Sequence, residues 1–159
     1  MECSLADNPC LTVEWRLQKF AELSPFELYS ILRLRSEVFV VEQKSIYLDL
    51  DNKDQLVYHL GGWQGKNLVA YSRLISPGIS YSEPSIGRVV TAVNQRRFGV
   101  GRALLQESIR LIELLFNGKQ IRISAQLYLK KFYESYGFIQ DSEVYDEDGI
   151  QHIQMIRRL

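Results

Sequence analysis

Apolar and polar positions along the chain fall into alternating strand-like and helix-like stretches. Residues 12–17 alternate with the period of two expected of an edge strand. Ser24-Pro25-Phe26-Glu27 is a capping box with proline at the first helical position. The helix it opens carries Leu28, Ile31, Leu32, Arg35, Val38 and Phe39 at spacings of three and four, on one side. A long polar and aromatic connection follows over residues 41–55. Residues 56–63 and 67–76 are the strands of a hairpin, with Gln64-Gly65-Lys66 at its turn, and Pro77-Gly78 ends the second strand.

The second half of the chain alternates strand and helix. Residues 85–91 form a strand, with Ile86-Gly87-Arg88-Val89-Val90-Thr91 as its buried part. A helix over 99–117 has a polar stripe at Arg102, Gln106, Arg110, Glu113 and Asn117. Its other faces are largely apolar, so it packs deeply on a sheet, with Gly118 as its C-cap. Residues 120–125 form a strand that the intervening helix makes parallel to its predecessor. A short helix over 127–136 ends at Gly137, a strand begins at 138–139, 145–149 is an acidic turn, and 150–156 is the last strand. The pattern predicts an α/β fold with a mixed sheet. Residues 1–11 form a loose lead-in and 12–159 one domain.

Bulk properties narrow the function. A chain of 159 residues suits a single core. With 19 basic and 19 acidic side chains the formal net charge is zero, which argues against nucleic-acid or anionic-membrane binding. No apolar run approaches the roughly 18 residues of a membrane span, and the acidic opening Met1-Glu2-Cys3 lacks the apolar core of a secretory signal. Cys3 and Cys10 have no zinc-ligand spacing and read as free thiols, so a cytoplasmic location is expected.

The chemistry concentrates at Arg96-Arg97-Phe98-Gly99-Val100-Gly101, which follows a strand and opens a helix. The first turn of a helix has N–H groups without intrahelical partners, and its dipole adds partial positive charge there, so an anion is stabilised. Glycine permits close backbone approach and positive φ, and Arg96, Arg97 and Arg102 add mobile positive charge. A plain glycine-rich helix start fits the same residues. Gly-Lys-Ser/Thr of a Walker loop is absent, as is the third glycine of a dinucleotide fingerprint.

Taken together these pieces resemble the GNAT superfamily of acetyl-CoA-dependent N-acetyltransferases, over about residues 12–157. Arg96 to Gly101 is similar to that family's pyrophosphate loop, Arg/Gln-x-x-Gly-x-Gly/Ala, and Phe132-Tyr133-Glu134-Ser135-Tyr136-Gly137-Phe138 to its second block. Arg35-Ser36-Glu37-Val38-Phe39-Val40-Val41-Glu42-Gln43, Tyr47-Leu48-Asp49-Leu50-Asp51 and residues 145–155 resemble the ElaA-like branch. Gln126 and Leu129 stand where that family often has Asn and Ala.

The resemblance implies a GNAT fold whose two parallel strands splay to admit acetyl-CoA. Backbone groups of Val89, Val90 and Thr91 would bind the pantetheine arm, and Phe98, Gly99, Val100, Gly101 and Arg102, with Arg96 and Arg97, the pyrophosphate. Gln126 is a further candidate for binding the cofactor. A backbone N–H near Val90 would polarise the thioester carbonyl. Tyr133 occupies the general-acid position; packing beside Phe132 and Phe138 is its alternative role. Glu42 and His152 are the candidates for base or amine anchor, with a water chain as alternative, while His59 reads as structural.

Asp49, Asp51 and Asp54 lack the glycine and twelfth-position acid of a calcium loop, so no metal is expected. With Asp146, Glu147 and Asp148 they are candidates for an acidic rim that attracts an amine, and Arg35 is placed to pair with one of them. The expected reaction is acetyl transfer to a primary amine, on a small molecule or peptide, by direct attack in a ternary complex. A homodimer stays open. A non-catalytic acyl-CoA-binding module or sensor and an acyltransferase for longer acyl-CoAs remain the alternatives.

Overall fold

Helix starts and turns form where the local chemistry requires them. The computed structural model describes residues 12–159, so the lead-in, Cys3 and Cys10 lie outside the described residues. Strand β1 (Glu14–Lys19) leads to helix α1 (Pro25–Arg35). Ser24 accepts from the Glu27 amide at 3.2 Å and the Glu27 carboxylate accepts from the Ser24 amide at 2.8 Å, so the capping box forms as expected. The helix does not stop near Phe39. It continues as a π-helical segment, Ser36–Glu42, closed by Gln43 N–H donating to Val38 O at 3.0 Å. The wider turn buries Val38 and carries Phe39, Glu42 and Gln43 to the edge of a cavity described below.

Strands β2 (Tyr58–Gln64) and β3 (Asn67–Ile75) form the expected hairpin, with Gln64 opposite Asn67 and Gly65 at φ +60° in the turn. Strand β4 (Ser85–Thr91) pairs antiparallel with β3, and helix α2 (Val100–Phe116) follows. Gly99 precedes α2 at φ +80°, in the left-handed region glycine reaches without strain. At the far end Asn117, at φ 45°, takes the left-handed cap one residue before the expected Gly118. Gly118 instead lies against Pro84, where a Cβ would stand 3.1 Å from the ring.

Strand β5 (Gln120–Gln126), helix α3 (Lys130–Glu134) and strands β6 (Ile139–Gln140), β7 (Tyr145–Glu147) and β8 (Ile150–Arg158) complete the chain. The acidic turn expected over 145–149 is therefore narrower, because Tyr145–Glu147 pairs with β8 and leaves Asp148-Gly149 as the turn. The mixed sheet runs β1-β2-β3-β4-β5-β8-β6, with β7 beside β8.

Helices cover both faces. Neighbouring β3 residues point to opposite sides of the sheet. Ser72 meets Ser108 of α2 at 2.9 Å, whereas Tyr71 lies under Arg35 at the end of α1. Leu104, Leu105, Ile109 and Ile112 of α2 form the larger core with Leu60, Leu74, Ile121 and Ile153. Ile31, Leu34 and Val38 form a smaller core with Tyr71 and Val90. No helix of the described residues is long and apolar enough to cross a membrane.

Candidate active site

The middle of the sheet is where its ladder fails. Strands β4 and β5 are parallel neighbours that pair in register only at Ser85 and Arg122, near the start of each, and diverge from there. Between Tyr71 and Arg73 the β3–β4 register shifts, since Tyr71 faces Val90 while Arg73 faces Gly87. One extra residue is therefore inserted in β4, and Arg88 sits there at φ 52°. Such a bulge leaves backbone groups outside the ladder. Arg88, Val89 and Val90 line a cavity of about 710 Å³ that Ser124 and Gln126 of β5 also line.

One end of this cavity is built from backbone. Val89, Val90 and Thr91 line it, as do Arg96 and Gly101. A Cβ on Gly101 would stand 3.3 Å from Thr91 Oγ1, so the cradle depends on the missing side chain. No side chain caps the start of α2, which leaves the first-turn amides of Val100, Gly101 and Arg102 for an anion. Arg97, at φ 72°, Phe98 and Arg102 are exposed and lie outside the cavity wall, and the Val100 side chain is buried in the larger core. These residues border the loop through their backbone. Arg96 is not a free cation, because its Nη2 donates to Glu42 Oε2 at 2.8 Å.

The centre holds the titratable candidates. Tyr133 lines the cavity and is only 6 % exposed, with Phe132 and Phe138 edge-on to its ring. Its hydroxyl makes no hydrogen bond among the described residues, and burial pushes its pKa well above the usual phenol range, so it stays protonated. His152 stacks on Tyr145 and its Nδ1 lies 2.7 Å from the Ile150 carbonyl oxygen. That carbonyl only accepts, so Nδ1 carries the proton and Nε2 is the basic nitrogen. Glu42 is held below the usual carboxylate range by its hydrogen bonds to Arg96. Gln43 and Gln126 exchange amide hydrogen bonds of 3.0 and 3.3 Å, tying the end of the π-helical segment to β5.

The other end is built from side chains that meet only in the fold. Asp49 and Asp54 accept from buried Arg35 at 2.8 Å each. Arg73 grips Asp51 through two bonds of 2.7 and 2.8 Å, and Arg88 donates to Asp49 at 2.7 Å. The pairing expected of Arg35 forms, but Asp49, Asp51 and Asp54 are not an acidic rim, since arginines neutralise them. Glu147 and Asp148 line the cavity and make no ion pair among the described residues, whereas Asp146 caps the Gly149 amide at 3.1 Å. Tyr47 donates to Asp49 at 3.1 Å, and burial pushes its phenol up to about 12.

His59 is buried behind this end and reads as structural. Its Nε2 donates to Asp54 O at 2.8 Å, and its Nδ1 accepts from the Tyr71 hydroxyl at 2.7 Å. Among the described residues no group of three or more His, Cys, Asp or Glu side chains is arranged to hold a metal ion. Sequence reasoning missed Gln43, Tyr47, Lys53, Arg73, Arg88 and Tyr81 as cavity residues. Arg88 carried no local signal, because a run of alternating strand residues does not disclose a bulge.

Similarity to known proteins follows the same geometry. The model of an acetyltransferase (GNAT) domain matches residues 29–159. A UPF0039 protein of Synechocystis is 40% identical over 94% of this chain and 97% of its own length. The protein ElaA of Escherichia coli is 38% identical over 92% of the chain and 97% of its length, and its crystal structure superposes with a TM-score of 0.86. The structure of an acyl-CoA N-acyltransferase from Pseudomonas aeruginosa matches with a TM-score of 0.86 at 39% identity, covering 92% of this chain and 99% of that one.

Proposed function

The chain belongs to the GNAT acetyltransferase family, in its ElaA-like branch, and on that premise we propose that it moves an acetyl group from acetyl-CoA to a primary amine by direct attack. The observation that carries this reading is the split between β4 and β5, with a bulged strand on one side and an uncapped helix start at its mouth. A thioester arm fits beside Val89–Thr91 as a short added strand, and the pyrophosphate fits the first-turn amides of α2. Competition between that phosphate and Glu42 for Arg96 accompanies binding.

The chemical steps follow from the groups at the centre. The amine must first lose a proton, and His152 Nε2, directly or through a water, takes it. The nitrogen then attacks the thioester carbon, and a backbone N–H released by the β4 bulge stabilises the developing oxyanion. When the carbon–sulfur bond breaks, the thiolate leaves with the electron pair and takes the Tyr133 proton, and the second proton lost by the acetylated nitrogen returns the phenolate to phenol, directly or through a water. A phenol held neutral by burial suits that role, since it does not ionise before the thiolate appears. Glu42 is a poor base because the Arg96 guanidinium already stabilises its charged form.

Calorimetric titration with acetyl-CoA tests the donor, and saturable binding is expected. Absence of binding at millimolar ligand sinks the reading. Release of CoA on adding amines then separates a transferase from a binding module.

A further inference from the structure

The charges that face the cavity do not all cancel. Arg73 is held by Asp51, Arg88 by Asp49 and Arg96 by Glu42. Lys53 lines the same cavity and has no carboxylate partner among the described residues, its ammonium donating only to Ser80 Oγ at 3.2 Å. A second unused donor belongs to the same wall. Arg73 is 3 % exposed, and its Nε is buried without a hydrogen-bond partner among the described residues. A Cβ on cavity-lining Gly87 would stand 4.0 Å from that nitrogen, so the absent side chain leaves room beside it.

The opposite sign lines the same cavity. Among the described residues Glu147 and Asp148 line it without an ion pair, and the Glu147 carboxylate accepts only from Ser124 Oγ at 3.0 Å. Tyr81, next to Ser80, lines the cavity too, with its phenol raised by burial and then by Tyr145 and Glu147. The β5–β8 register sets Gln126 opposite His152, beside the Tyr145 ring. A ligand that fills this space and excludes water strands any charge it does not meet. A polyamine would meet Glu147 and Asp148 and be repelled by Lys53. A neutral-tailed amine would leave Lys53 desolvated and unpaired.

We propose that the acceptor is a free amino acid, its carboxylate held by Lys53 and Ser80 and its amine turned toward Glu147, Asp148 and His152. The proposal rests on the acetyl-transfer reading of the same cavity and names the substrate class for it. Lys53 and Ser80 are specificity residues, and neither touches the thioester.

The test uses the full-length protein with acetyl-CoA and a panel of L-amino acids, β-alanine and γ-aminobutyrate, each beside its carboxamide. Peptides and polyamines complete the panel, and CoA release is the readout. At least one free acid is expected to exceed its carboxamide by tenfold or more in kcat/KM. Lys53→Met should raise KM for that acid about tenfold, leave kcat and the carboxamide little changed, and leave acetyl-CoA affinity intact. Lys53→Arg should restore most of the preference. Equal use of acids and carboxamides, a preference for peptides or polyamines, or equal losses on both in Lys53→Met overturns the proposal. A silent panel with intact acetyl-CoA binding also overturns the acceptor class and spares the donor reading. Failure to bind acetyl-CoA overturns the donor reading itself, and the acceptor proposal with it.

Discussion

The two ends of the cleft are built on different principles. The end near Gly99 is a backbone device, in which a strand, a positive-φ glycine and a helix start lie within one short stretch of chain. The end near Lys53 is a side-chain device, made of arginines and aspartates brought in from α1, the long connection, β3 and β4. Backbone amides are alike in every protein and suit a constant group such as a pyrophosphate. Side-chain charges are set residue by residue and suit a group particular to one ligand. The contrast is one of cost as well, because buried ions stabilise a fold only when every partner is present.

Breaking the side-chain end should have the largest effect on the fold. Arg35 is fully buried and bridges Asp49 and Asp54. Arg35→Met leaves buried Asp49 to Arg88 and Asp54 to Arg73 alone, and should lower the unfolding free energy by about 3 kcal/mol, read by urea denaturation. A loss under about 1 kcal/mol would show that the network has collapsed onto other partners.

Tyr133→Phe addresses the centre, where both ends meet. It removes one hydroxyl from a packed ring, so kcat should fall on the order of a hundredfold while acetyl-CoA affinity stays constant. An unchanged kcat reduces Tyr133 to packing.

At the backbone end, Gly99→Ala forces a Cβ into the left-handed region at a cost of about 1–2 kcal/mol. Thermal unfolding and acetyl-CoA titration should both register it, whereas a Cβ at position 99 meets no neighbour within 4 Å. An effect on affinity with no effect on stability would place the strain in the loop alone.

Acid should dismantle the side-chain end in two stages. Burial lowers the pKa of His59, so the fold keeps it neutral while the unfolded chain takes up a proton near pH ~6.5. Its contribution is therefore whole above that pH and falls as pH drops below it. Burial opposes ionisation of Asp51 and Asp54, but their arginines outweigh it and hold both carboxyls below the usual range. Their contribution is present above the unfolded value of about 3.9 and is lost as pH falls further, toward the folded values. Urea unfolding between pH 7 and 3 checks both stages, and His59→Gln should remove the first. A curve flat from pH 7 to 4 breaks the assignment.

The smallest effect belongs to the contact that crosses the mouth. Glu42 and Arg96 are partly exposed, so Glu42→Gln should change stability by less than about 1 kcal/mol. By freeing Arg96 it should tighten acetyl-CoA binding by no more than about fivefold in calorimetry. Weaker binding would assign Glu42 a different part.

Much of this frame was legible beforehand. The capping box at Ser24, the hairpin turn at Gly65, the polar stripe of α2 and the Gly99 loop each express a preference held within a turn or two of chain. The π-helical extension was not, because the widening that buries Val38 against Tyr71 and Val90 comes from packing. Nor were the cap at Asn117 and strand β7, where a pairing partner and close contact outweighed local propensity.

Local preference, then, determined where strands and helices lie and where an anion would sit, since those choices involve neighbouring residues. Tertiary structure alone decided which charges are spent and which are free. Arg35 meets Asp49 across 14 positions, Arg88 meets the same residue across 39, and Arg96 meets Glu42 across 54. At such separations the pairing is set by the sheet that gathers the partners, and among the described residues Lys53 is left with Ser80 and no carboxylate once the others have been taken.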